Sequence, residues 1–154
     1  MARPDLDTYF LKMARVVATR ATCVRRQVGC VLVDARGRTL STGYNGPPSG
    51  EPHCTEHPCL GAGAPRGEGL DLCAAVHAEA NALLTCYDIW AIKVCYVTHS
   101  PCLGCVKLLR NTSCQRVVFR EEYAHDDLAK ARWLNYTNKD LELNNRLREW
   151  IHAD

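Results

Sequence analysis

The sequence predicts an α/β fold, a central mixed sheet covered by helices. Three observations carry this reading. Short apolar runs and segments of helical period follow one another in the order α-β-β-α-β-α-β-α. The first two strands are joined by a tight turn, whereas helices separate the later ones, as in crossover units. The chain has 154 residues, 47% of them hydrophobic, which suits one domain over 1–154 with one core.

The elements follow in order. Residues 5–20 read as an amphipathic helix, with Asp5 as its cap and Tyr9, Met13 and Val16–Val17 at helical spacing. Residues 27–34 read as a buried strand. Ala35-Arg36-Gly37 turns the chain into a second strand near 39–44, forming a hairpin. Residues 45–72 are rich in Gly and Pro and carry His53, Cys54, His57 and Cys59. So long an irregular stretch implies a functional or metal-tied loop. Residues 75–87 read as a helix with Ala78, Ala82 and Leu83 on one side. A strand at 92–98, a short helix at 102–110 and a strand at 115–120 come next. Helical patterns are read at 126–135 and 139–151, the latter opening a C-terminal helical tail to 154. There is no internal repeat or low-complexity tract.

The formal net charge is +2 and charges of both signs are interspersed, so the basic stripe of a nucleic-acid binder is absent. The N-terminus has no apolar signal-peptide core, and no apolar run approaches the ~20 residues of a membrane span. A cytoplasmic location is expected. Ten cysteines without a secretory signal point to metal binding or catalysis rather than disulfides. Cys30, Cys95 and Cys114 lie in or beside strand-like runs, and Cys86 near a helix end. All four read as small core residues.

Two short segments carry chemistry. His77-Ala78-Glu79 opens one helix, and Pro101-Cys102-Leu103-Gly104-Cys105 opens another. Cys102 and Cys105 are three apart and share a helical face, so both thiolates can reach one metal. His77 supplies a third ligand, and the fourth position stays open, the arrangement of a catalytic zinc. Glu79 beside it serves as proton shuttle, first base and then acid, while an activated water attacks C4 of a cytosine ring. The plainer reading is a core histidine, a surface glutamate and a structural cysteine pair. H-x-E together with P-C-x-x-C weighs against it, because the two form the signature of zinc deaminases.

The chain resembles the deoxycytidylate (dCMP) deaminase family from about residue 5 to 135. The resemblance rests on Thr22-Cys23-Val24-Arg25-Arg26-Gln27-Val28-Gly29, Gly43-Tyr44-Asn45-Gly46 and Pro52-His53-Cys54. It rests equally on His77-Ala78-Glu79-Ala80-Asn81-Ala82 and Val97-Thr98-His99-Ser100-Pro101-Cys102-Leu103-Gly104-Cys105. It implies a three-layer α/β/α cytidine-deaminase-like fold with a central mixed five-stranded-type sheet, assembled as a homohexamer. It implies hydrolysis of dCMP to dUMP and ammonia, which supplies dUMP for thymidylate synthesis. Asn45, the Ala78 backbone, Ser100 and Tyr123 would contact the substrate.

The resemblance also implies regulation by dCTP and dTTP, with Mg2+ accompanying the triphosphate. Arg26, Gly43 and Asn45 would form the effector site. The chain departs from the family at Ala124-His125-Asp126-Asp127, where basic residues are usual and two acids would repel a triphosphate. A second, structural zinc is implied at Cys23, Cys54, Cys59 and Cys73, with His53 able to replace one of them. The alternative there is a set of reduced thiols without metal.

Two competing functions stand beside this one. The pocket could act on dCTP, a modified dCMP or cytosine in a single strand, although the loops carry few aromatics for stacking. A nucleotide sensor without turnover is the other, and an intact Glu79 argues against it.

Overall fold

Residues 2–69, 72–123, 126–135 and 148–154 are described by the computed structural model. Its elements are α1 (Leu6–Ala18), β1 (Gly29–Asp34), β2 (Thr39–Tyr44), α2 (Ala78–Leu84), β3 (Ile92–His99), α3 (Leu103–Arg110), β4 (Arg116–Glu121), α4 (Asp126–Leu134) and β5 (Glu149–His152). The strands form one sheet in the order β2-β1-β3-β4-β5. β1 runs antiparallel to both β2 and β3, while β3, β4 and β5 are parallel. The sheet is therefore mixed, with five strands among the described residues, as expected.

Helices cover both faces. α1 lies on one, where Phe10, Leu11 and Ala14 pack against Val31, Val33, Val94 and Val118. α2, α3 and α4 cover the other, where Ala78, Ala82, Val106, Leu109 and Trp133 meet Cys30, Leu32, Val97 and Val117. β1 is buried at nearly every position because it has strands on both edges and helices on both faces. β2, at the sheet edge, alternates instead.

Asp5 caps α1 as expected, its Oδ1 accepting from the Thr8 amide at 2.8 Å. The buried face of α1 is rotated from the expected one. Phe10, Leu11, Ala14 and Ala18 are buried, whereas Tyr9 and Val16 are exposed, and Met13 and Val17 lie at the margin. Small alanines, which a hydrophobicity pattern undervalues, let the helix lie close to the sheet.

The C-terminal tail also differs. Residues 139–147 lie outside the described residues, but Glu149–His152 form a strand, not the end of a helix. Trp150 and Ile151 face opposite sides of the sheet. Trp150 packs edge-on to Phe119 with centroids 5.3 Å apart, and Ile151 joins the α1 side. Two apolar residues in a four-residue strand leave too short a period to be told from a helix. Cys30, Cys95 and Cys114 are buried, and Cys86 is partly buried against the core. No helix among the described residues is long and apolar enough to cross a membrane.

The loop between β2 and α2 is tied at both ends. Gly46 and Val76 form an isolated antiparallel bridge, with N···O distances of 3.2 and 2.7 Å. Helix α2 then presses directly on β2 at Gly43. A Cβ at Gly43 would lie 2.3 Å from the Ala78 carbonyl oxygen, so only glycine permits the approach. That contact fixes where α2 begins, and α2 begins at the site.

Candidate active site

His77 and Cys102 are the N-caps of α2 and α3, so two helix N-termini converge at one end of the sheet. His77 Nδ1 lies 3.3 Å from Cys102 Sγ and 3.4 Å from Cys105 Sγ. All three donor atoms are within 4.8 Å of one another. A tetrahedral zinc with bonds of 2.0–2.3 Å places nitrogen and sulfur ligands roughly 3.6 Å apart, so the trio fits that ion. The Cys105 amide also donates to Cys102 Sγ at 3.5 Å. The Cys102 thiol is lowered to about 4, first by its hydrogen bond with Cys105 and also by His77. The same shared proton pushes Cys105 up, and the Cys102 contact raises His77. The pair holds one thiolate readily, and a cation would draw off the second proton.

Glu79 is 4% exposed, in the first turn of α2. Burial pushes its carboxyl up, while the neighbouring His77 pulls it down. It lines a cavity of about 280 Å3 together with His77, Ala78 and Cys102. Ala78 is the first residue of α2, where backbone N–H groups have no partner within the helix.

The other expected substrate residues line the same cavity. Asn45 is buried and both ends of its amide are used: Oδ1 accepts from the Val28 amide at 2.8 Å, and Nδ2 donates to the Arg26 carbonyl at 2.7 Å. It braces the 26–28 segment that forms one side of the cleft. Ser100 Oγ accepts from the Tyr123 amide at 2.7 Å and so anchors the residue expected at the sugar-phosphate.

Arg26 and Asn45 were expected at an effector site. They line the cavity that holds Glu79, and Gly43 is packed beneath α2 rather than presented to a ligand. The Arg26 guanidinium lies over the Tyr123 ring, 4.4 Å from its centroid. Burial lowers its pKa, and its Nη1 is buried without a hydrogen-bond partner among the described residues. Of the departure at 124–127, Ala124 and His125 lie outside the described residues, while Asp126 and Asp127 open α4.

Arg25, Arg66 and His99 also line the cavity and were not singled out in the sequence. Arg25 and His99 stand in motifs that carry the family resemblance but were given no role there, and Arg66 stands in none. His99 pairs with Glu121 at 3.0 Å, and its Nδ1 meets Thr98 Oγ1 at 2.9 Å.

The four remaining thiols are linked in pairs. Cys54 Sγ is 3.7 Å from Cys59 Sγ, Cys59 also interacts with Cys73, and Cys73 with Cys23. Among the described residues, they are not drawn as tightly together as the His77–Cys102–Cys105 trio. His53 stands apart, its Nδ1 3.2 Å from Thr22 Oγ1.

Known proteins agree with this geometry. Residues 4–121 match the model of the cytidine and deoxycytidylate deaminase zinc-binding region. The chain is 43% identical over 129 residues to the deoxycytidylate deaminase of Mycobacterium phage D29, covering 79% of this chain and 99% of that protein. It is 38% identical over 128 residues to the deoxycytidylate deaminase of Schizosaccharomyces pombe, covering 80% of this chain but 39% of the yeast protein. The fold is shared with the dCMP deaminase of cyanophage S-TIM5, whose crystal structure contains dCMP and dUMP. That match has a TM-score of 0.66 at 23% identity, over 98% of this chain and 99% of the other. The chain belongs to the cytidine and deoxycytidylate deaminase family and carries its zinc-binding region.

Proposed function

We propose that this protein hydrolyses dCMP to dUMP and ammonia. One observation carries the reading: a buried carboxylate beside a His/Cys/Cys trio lines the same cavity as an arginine one of whose nitrogens is buried without a partner among the described residues. The relatives named deoxycytidylate deaminase support the same substrate.

His77, Cys102 and Cys105 would hold the zinc, which supplies the Lewis acidity that makes water a nucleophile near neutral pH. Glu79 takes a proton from the attacking water and delivers it to N3 of the ring, then takes the second from the hydroxyl now on C4 and delivers it to the departing amine, leaving the C4 carbonyl and ammonia. Its burial favours the protonated carboxyl, so it can return the proton it accepts. The Ala78 N–H, which has no partner within the helix, orients the pyrimidine edge. Arg26 supplies a cation to the 5′-phosphate, and Tyr123 holds that cation in place. Asn45 and Ser100 act through the backbone segments they fix.

Cys23, Cys54, Cys59 and Cys73 are proposed to hold a structural zinc, since four thiols linked one to the next could close round one ion. His53 is not part of that set. A cytoplasmic location suits cysteines held as metal ligands, since a reducing compartment keeps thiols from pairing as disulfides. The test of the main reading is ammonia release from dCMP by the purified zinc-loaded protein. Absence of turnover on dCMP overturns it.

A further inference from the structure

Three arginines line the cavity, and two are already committed. Arg25 Nη2 donates to the Pro65 carbonyl at 2.7 Å. Arg66 Nη2 donates to the Glu122 carbonyl at 2.9 Å. Pro65 and Arg66 are neighbours in the loop between β2 and α2, and Ala64, Arg66 and Gly67 form part of the cavity wall. The two bonds run in opposite directions. One reaches from the segment before β1 to the loop, and the other from the loop to the segment after β4. The loop is therefore stapled to both sides of the cleft. Gly67, at φ 80°, makes the turn that the strap requires.

The anchor points matter. Arg25 precedes Arg26, and Glu122 precedes Tyr123, so the strap is tied to the two backbone segments that carry the stacked pair. A phosphate at Arg26 has the strap beside it. A second and third phosphate would have to extend past it. The cavity, at about 280 Å3, is also at the small end for a ligand site.

We infer that residues 64–67 form a strap that restricts the substrate to a single phosphate, with Arg25 and Arg66 as its latches. The inference rests on the dCMP reading above. The strap selects by exclusion: it does little for dCMP and obstructs the longer nucleotide. This differs from a purely electrostatic role. Losing a cation from the cleft would by itself disfavour dCTP more than dCMP, because dCTP carries the greater charge. A strap makes the opposite prediction.

The test is kcat/KM for dCMP and for dCTP on the zinc-loaded wild type, Arg66→Ala, Arg25→Ala and Arg66→Lys. Wild type should prefer dCMP strongly. Each alanine variant should lower that preference at least tenfold, through a gain on dCTP, while Arg66→Lys, which keeps a donor, should stay near wild type. An unchanged preference in both alanine variants, or a shift further toward dCMP, overturns the strap. A wild type that uses dCTP as well as dCMP overturns it while leaving dCMP deamination intact. A wild type inactive on both nucleotides overturns the dCMP reading and the strap with it.

Discussion

The Arg26 guanidinium stacks on the Tyr123 ring at 4.4 Å, joining the segment before β1 to the segment after β4. The two residues are far apart in the chain, and neither has a regular element around it. The pair and the His77–Cys102–Cys105 trio both border the cavity that Glu79 lines.

Arg26→Ala should therefore raise KM for dCMP with little change in kcat, since it removes binding rather than chemistry. A hydrogen bond to a charged group is worth about 1.5–3 kcal/mol, so the expected rise is roughly 10–100-fold. Deoxycytidine, which lacks the phosphate, should show no such difference between wild type and variant. Steady-state kinetics on both substrates check this, and an equal loss on deoxycytidine would remove Arg26 from the phosphate.

Glu79→Gln should preserve folding and zinc content and lower kcat at least about 100-fold. The amide keeps the shape but accepts no proton. Elemental analysis and single-turnover rates of the same preparation separate the two effects. Retention of more than a tenth of the wild-type kcat would exclude Glu79 as the shuttle.

The wild type should carry two zinc ions per chain, and single variants should remove them separately. Cys102→Ala should lose the ion of the trio, leaving the other. Cys54→Ser should loosen the loop between β2 and α2 and lose the second ion. Zinc per chain after purification without chelators is the measurement. One ion per chain in the wild type would reject the structural site, and unchanged zinc in Cys102→Ala would reject the ligand assignment.

A different prediction concerns stability. Asp7 on α1 accepts from Tyr96 Oη at 2.6 Å and pairs with Arg116 at 3.0 Å, so α1 is pinned to β3 and β4. Burial raises the Asp7 carboxyl, but the bonds from Arg116 and Tyr96 outweigh it and hold the group below its ordinary value. A carboxylate depressed in the folded state stabilises the protein above its unfolded pKa. That contribution is lost as pH falls through the lower folded value. Asp7→Asn should cost about 1 kcal/mol near neutral pH, given the one-third exposure of the side chain. The difference from wild type should begin to shrink near pH ~4 and vanish only below the depressed folded value. Urea unfolding at pH 7 and at pH 3 tests the sign, and a larger difference at pH 3 would contradict it.

The sequence by itself determined the order of the first eight elements, the trio with its neighbouring glutamate, and the core cysteines. These are local in origin. Helix starts place His77 and Cys102, a three-residue step puts Cys102 and Cys105 together, and apolar strand runs bury Cys30 and Cys95. Asn45 and Tyr123 were legible only through resemblance to a family, because neither sits in a pattern that spacing can read. Tertiary structure decided the rest. The buried face of α1 turned on how closely alanines allow a helix to approach the sheet. Strand β5 exists because the edge of β4 pairs with Glu149–His152, and hydrogen bonding to a neighbour is not written in four residues. Arg25, Arg26 and Arg66 line one cleft because the loop between β2 and α2 folds back onto the segments before β1 and after β4. Contacts between residues 40 and 56 positions apart carry no local period, so only the folded chain could assign them.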